Sequence, residues 1–110
     1  MVKKLLLVTA FVCGTAQAQF FTGNDLLTRL NSDSNIDKSI GTGFIMGVYD
    51  ATHSAIHCPP ENVTVGQVKD MVIKNLQKGA EARHLAAEMF VSYTLNSAWP
   101  CPKKSKGRDI

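Results

Sequence analysis

Apolar residues along the chain recur at helical spacing in several separate stretches, and no stretch alternates with period two. Thr22 or Asn24 can cap a short helix from Asp25 to about Asn31, with Leu26, Leu27 and Leu30 turned inward. Asn31 to Asn35 is a run of turn formers and reads as a surface loop. The longest stretch, Ser39 to Pro60, reads as one buried helix. Ile36, Ile40, Phe44, Gly47, Val48, Ala51 and Ala55 mark its expected inner face. Gly43, Gly47, Ala51 and Ala55 form a row of small residues four apart, which admits close approach of another backbone. Cys58 closes this stretch, and Pro59-Pro60 stops it because neither residue offers a backbone N–H.

Thr64 and Gln67 then match a capping box, each side chain reaching the other residue's backbone N–H. Val65, Val68, Met71, Val72 and Leu76 form the apolar face of the helix that follows. Gly79 is its expected left-handed terminal residue. The last helix is expected over Leu85 to Ala98, burying Leu85, Met89, Phe90, Tyr93 and Ser97, with Leu95 and Trp99 near its end. Pro100 stops it, and Cys101 follows. The expectation is an all-α single domain, a small bundle of four to five helices.

The first residues do not fit that bundle. Lys3-Lys4, the apolar run Leu5 to Val12 and the small-x-small Ala16-Gln17-Ala18 together read as a secretory signal peptide over 1–18, cleaved after Ala18. The run is too short for a stable membrane anchor. Cys13 follows Val12 rather than the small residue of a lipoprotein signal. Cleavage leaves Cys58 and Cys101, and an even cysteine count in a small exported domain reads as a disulfide. Closing a loop of roughly 44 residues stabilises by about 4 kcal/mol on the chain-entropy account. A domain this small buries only about 60–65% of its unfolded surface, so the bond matters.

Charge narrows the function. The full chain carries +3, but the basic residues gather at its ends. The tail over 103–110 holds Lys103, Lys104, Lys106 and Arg108 and is expected to be a disordered, solvated end. Between Gln19 and Pro102 six Lys and Arg face eight Asp and Glu, which is no footprint for nucleic acid.

Candidate chemistry is sparse. On a continuous helix Asp50, His53 and His57 would share a face at i, i+3 and i, i+4 spacing, and Cys58 would complete a metal-ligand set. A disulfide-bonded Cys58 cannot supply a thiolate, and the glutamate of an H-E-x-x-H hydrolase is missing. Export argues equally against Cys58 as a nucleophile with His57 or His84 as its base. No nucleophile elbow or phosphate-cradling glycine loop is present. His84 beside Arg83 can bind an anion or a partner's carboxylate. Asn62-Val63-Thr64 matches a glycosylation acceptor that matters only in a eukaryote. The chain is expected to have no catalytic residue, metal or cofactor.

Several short motifs in fixed order carry a family resemblance. They are Gly23-Asn24-Asp25-Leu26-Leu27, Gly43-Phe44-Ile45-Met46-Gly47-Val48 with Asp50-Ala51, Cys58-Pro59, Val63 to Val68, Arg83-His84-Leu85 and Ala98-Trp99-Pro100-Cys101. Over about residues 20–102 the set resembles the Rap/Tai family of immunity proteins against type VI secretion amidases. The resemblance implies a periplasmic helical homodimer that binds a cognate peptidoglycan amidase effector and blocks its active site. Many relatives carry an extra cysteine pair where this chain has Leu30 and Gly41, and its absence predicts a looser first helix.

Contact residues do not carry over from such relatives. The expected partner-binding positions are therefore the exposed turns: Pro59, Pro60, Glu61 and Asn62 in the first, Glu81, Arg83 and His84 in the second. The alternative is a periplasmic stress or chaperone-like protein of the same fold without amidase inhibition. A small hydrolase or metal carrier comes third, for want of a constellation.

Overall fold

A computed structural model describes residues 21–103. The expected signal peptide at 1–18 and the basic tail beyond Lys103 lie outside the described residues. Four α-helices and one short 3-10 turn follow in order: α1 (Gly23–Leu30), α2 (Asn35–Thr52), α3 (Val65–Lys78), the turn Ala80–Ala82, and α4 (Ala87–Ala98).

Two helix starts follow directly from local sequence. Thr22 accepts from the Asp25 N–H while the Asp25 carboxylate accepts from the Thr22 N–H, a reciprocal cap that opens α1. Thr64 and Gln67 do the same for α3. The next amides of α1, which lack partners within the helix, donate to the chain before α4: Gly23 N–H to the Leu85 carbonyl and Asn24 N–H to that of Arg83, both at 2.8 Å. Ala87 N–H returns the bond to the Phe21 carbonyl at 2.7 Å. The chain entry is thereby fastened to the start of the last helix.

The core gathers Leu26 and Leu30 of α1, Ile45 of α2, Val68, Val72 and Leu76 of α3, and Ala87, Val91 and Leu95 of α4. Thr94 adds a polar link inside it. Its hydroxyl donates to the Phe90 carbonyl at 2.7 Å and accepts from the Asn75 amide at 2.6 Å, joining α4 to α3. Arg29 of α1 pairs with Asp37 of α2 at 2.8 Å, and Ser32 donates to the other oxygen of that carboxylate.

Cys58 and Cys101 form the disulfide, with Cα atoms 4.8 Å apart. It joins the segment leaving α2 to the segment leaving α4. Cys58 N–H also donates to the Trp99 carbonyl at 2.8 Å.

Four expectations need correction. The central helix ends at Thr52, not at Pro60. The Thr52 hydroxyl donates back to the Val48 carbonyl, the Thr52 carbonyl collects the amides of residues 55–57, and Ser54 takes a positive φ of 68°. The chain thus folds into a tight turn before it reaches the prolines. The inner face of α2 is also turned away from the expected one: Gly41 and Ile45 are buried, Phe44 and Val48 pack half-buried against the core as expected, and Ile36 is 72% and Ile40 46% exposed. Gly43, Gly47, Ala51 and Ala55 face outward as well. The small residue that admits a neighbour is Gly41, where a Cβ would lie 2.9 Å from Leu30 Cδ2.

The third correction concerns α4, which starts two residues late and buries Ala87, Val91, Thr94 and Leu95. Leu85, Met89 and Tyr93 stay exposed, while Phe90 is half-buried. Both helices carry apolar residues on more than one side, so periodicity alone does not select the inner one. On α2, the close approach of Leu30 at Gly41 marks the side that turns inward. Finally, Gly79 ends α3 with φ at −99°, outside the left-handed region. Its missing side chain makes room for the Phe90 ring, which a Cβ would approach to 3.1 Å.

Gly41→Ala is expected to lower stability by about 1–2 kcal/mol through overpacking against Leu30. Gly66→Ala, where a Cβ meets open space, is expected to be neutral or to stabilise by up to about 0.5–1 kcal/mol. Urea unfolding of the two variants checks the contrast. Replacing both cysteines by serine is expected to remove about 2–4 kcal/mol in the same assay.

Candidate partner-binding surface

The expected partner-binding residues sit in two turns that bracket α3. The first is fixed at its start by the disulfide and by the Cys58–Trp99 hydrogen bond. Pro59 and Pro60 hold φ by their rings, and Asn62 reverses the chain with φ at 70°, a conformation asparagine tolerates. Pro60, Glu61 and Asn62 are exposed, and Pro59 is half-buried.

The second turn is built on the end of α3. Ala82 N–H donates to the Gly79 carbonyl at 2.9 Å, closing the 3-10 turn. Arg83 is half-buried and reaches back, its Nη1 donating to the Leu76 carbonyl at 3.1 Å. That bond satisfies a carbonyl of the last turn of α3 and places a cation at the negative end of the helix. The Arg83 carbonyl meanwhile accepts from Asn24. Arg83 is therefore committed to the frame, whereas Glu81 and His84 are exposed and free to meet a partner.

The two turns do not converge. The 14 residues of α3 separate them by about 21 Å at 1.5 Å per residue. A single interface reaches both only by running along the flank of α3.

Two apolar surfaces lie outside the expected set. Leu85, Met89 and Tyr93, with Phe90 behind them, line a groove whose other wall is Asn75, Lys78, Gly79 and Ala82. This groove adjoins the second turn. The other surface is the outward face of α2, where Ile36 and Ile40 flank Gly43 and Gly47. The sequence signal for both was the excess of apolar residues around α2 and α4, more than a core this small can cover.

The spacing that would align Asp50, His53 and His57 on one helix face is not realised, because the helix stops at Thr52. The Nδ1 of His57 lies instead 3.0 Å from the Thr52 hydroxyl. Cys58 and Cys101 are bonded to each other. Among the described residues no three His, Cys, Asp or Glu side chains gather where a metal ion would sit. No helix among them is long and apolar enough to cross a membrane. What the surface offers is shape, a few charges and exposed apolar area.

The chain matches the family model of Rap1a immunity proteins over residues 22–101, from the N-cap of α1 to the second cysteine of the disulfide. No curated protein matches it significantly. The matched segment takes in all four helices and both turns, and the chain belongs to the Rap1a immunity protein family, non-enzymatic inhibitors of type VI secretion amidase effectors.

Proposed function

We propose that the chain is exported to the periplasm, loses residues 1–18, and there binds and blocks a cognate peptidoglycan amidase. The observation that carries this reading is the family match across the entire helical domain. The disulfide and the signal-like start support the compartment, since such bonds persist where thiols oxidise.

Inhibition of this kind needs no chemistry from the inhibitor. It needs a surface that fits the enzyme's cleft and loses little entropy on docking. The turn at Pro59–Asn62 has that character: two prolines, a covalent tether at Cys58 and side chains open to solvent. The turn holding Glu81 and His84 has it too, supported from beneath by Arg83. The apolar groove beside it supplies buried area of the sort that dominates binding energy.

We further propose that the chain is a homodimer and that the outward face of α2 forms its interface. A Cβ at Gly43 or Gly47 would meet nothing within 4 Å, so a second helix has room to approach closely there. Ile36 and Ile40 would then be covered.

The direct test mixes the mature, oxidised chain with purified amidases of competing strains and follows hydrolysis of peptidoglycan. One amidase losing its activity at one chain per enzyme is expected. Full activity of every such amidase at excess inhibitor would contradict the reading. A folded Cys58→Ser protein is expected to bind that amidase more weakly through lost order in the first turn; binding at full strength removes that mechanism. Arg83→Ala is expected to lower thermal stability, whereas Glu81→Ala and His84→Ala leave it unchanged and weaken binding. In sedimentation, Ile40→Glu with Gly43→Arg is expected to convert dimer to monomer without unfolding, and a monomeric parent chain would refute the dimer.

A further inference from the structure

His57 is the one fully buried ionisable side chain among the described residues. It sits in the tight turn between α2 and the disulfide, one residue before Cys58. Its Nδ1 is 3.0 Å from the Thr52 hydroxyl, and that hydroxyl is 2.8 Å from the Val48 carbonyl. A hydroxyl has one proton to give, and the carbonyl can only accept. The Thr52 proton therefore points to Val48, and Nδ1 of His57 must be the donor to Thr52. This fixes the neutral tautomer with hydrogen on Nδ1. The lone pair on Nε2 is then buried without a partner.

The surroundings offer a second proton no compensation. From α2, the Tyr49 ring packs at 4.7 Å between centroids and the His53 ring, just past the helix end, meets it edge-on at 5.6 Å. His53 itself is exposed and contacts Ser54. Asp50, on the last turn of α2, is exposed, and among the described residues no carboxylate pairs with either histidine. The C-terminal segment that pairs with His57 is Trp99, Pro100 and the bonded Cys101, none of which titrates. From α4 comes only the neutral amide of Asn96, donating to the Ile56 carbonyl at 2.8 Å.

We propose that His57 is an acid-sensitive catch: neutral, it holds residues 53–58 against the end of α2, and protonated, it releases them. A proton on Nε2 creates a buried cation with an unpaired donor, which costs more than leaving the turn folded returns. The segment opens so that the imidazolium reaches water. The disulfide still tethers Cys58, so the opening is local and reversible. Burial, and secondarily the neighbouring charge of His53, hold His57 below the ordinary histidine value of 6.5, in keeping with this geometry. The catch belongs to the chain's own order and stands whether or not the adjoining turn meets an amidase.

The sign follows from linkage. The closed turn disfavours the charged form, so the opened or unfolded chain takes up the proton first as pH falls. The stabilisation is complete above about 6.5, declines below it by at most about tenfold in equilibrium constant per pH unit, and levels off once the folded-state value is passed.

Nuclear magnetic resonance of the mature, oxidised chain between pH 8 and 4 tests this. The nitrogen shifts of His57 are expected to report hydrogen on Nδ1 at pH 8, and its ring to titrate below the ordinary histidine value of 6.5. Amide protection at Ser54, Ile56, His57 and Cys58 is expected to fall over the same interval, with the amides of α3 still protected. His57→Asn keeps an N–H donor for Thr52 but cannot titrate, and its turn is expected to hold the same protection across the range. If that variant does not fold, His53→Gln is the second handle and is expected to raise the His57 midpoint. Titration of His57 at or above the ordinary histidine value of about 6.5, or titration with no loss of protection in the turn, would overturn the proposal.

Discussion

The bond between Cys58 and Cys101 is the constraint on which the remaining architecture rests. It joins two chain segments that no helix controls, the exit of α2 and the exit of α4, across a separation of 43 residues. With it closed, α3 and α4 lie within one covalent loop, and α2 is held at the mouth of that loop. The core inside is small and built from aliphatic side chains alone, so a cross-link that limits the unfolded chain contributes a large share of the stability. Hydrogen bonds from Gly23, Asn24 and Ala87 complete the closure at the other end by fastening α1 to the start of α4.

That economy leaves apolar surface over. The same side chains that make α2 and α4 look buried in sequence, Ile36, Ile40, Met89 and Tyr93, are outside in the fold. Helix-to-helix distance decides the matter. Gly41 lets Leu30 lie against α2, and Ala87 and Val91 let α4 seat deeply, so the bulkier faces turn to solvent. Leu30 and Gly41, the positions at which relatives are expected to hold a second cysteine pair, touch each other here through packing alone.

Features governed by a few neighbouring residues were legible in sequence: the cap at Thr64, a cap for α1 at Thr22 or Asn24, the pairing of two cysteines, and the helical count. Features set by distant partners were not. The end of α2 depends on how Thr52 and His57 bond across the turn, which spacing does not reveal. The side of α2 and α4 that faces inward depends on which positions meet a neighbouring helix, as Gly41 meets Leu30, not on which are apolar. Arg83 read as a free cation because its acceptor, the Leu76 carbonyl, is a backbone atom that any residue would supply. The exposed turns were legible as turns. Nothing in their composition marks which of them a partner touches.

In the proposed function the protein is a shaped plug, and its rigidity is the property that matters. We propose that the disulfide-fixed frame presents the turns flanking α3 to an amidase. Hydrogen–deuterium exchange of the mature, oxidised chain, alone and in complex with its amidase, tests this most directly. The account predicts slowed exchange at Glu61, Asn62 and residues 80–85 on binding, with the buried amides of α3 unchanged. Slowing confined to the outward face of α2, with both turns exchanging as in the free chain, would contradict it.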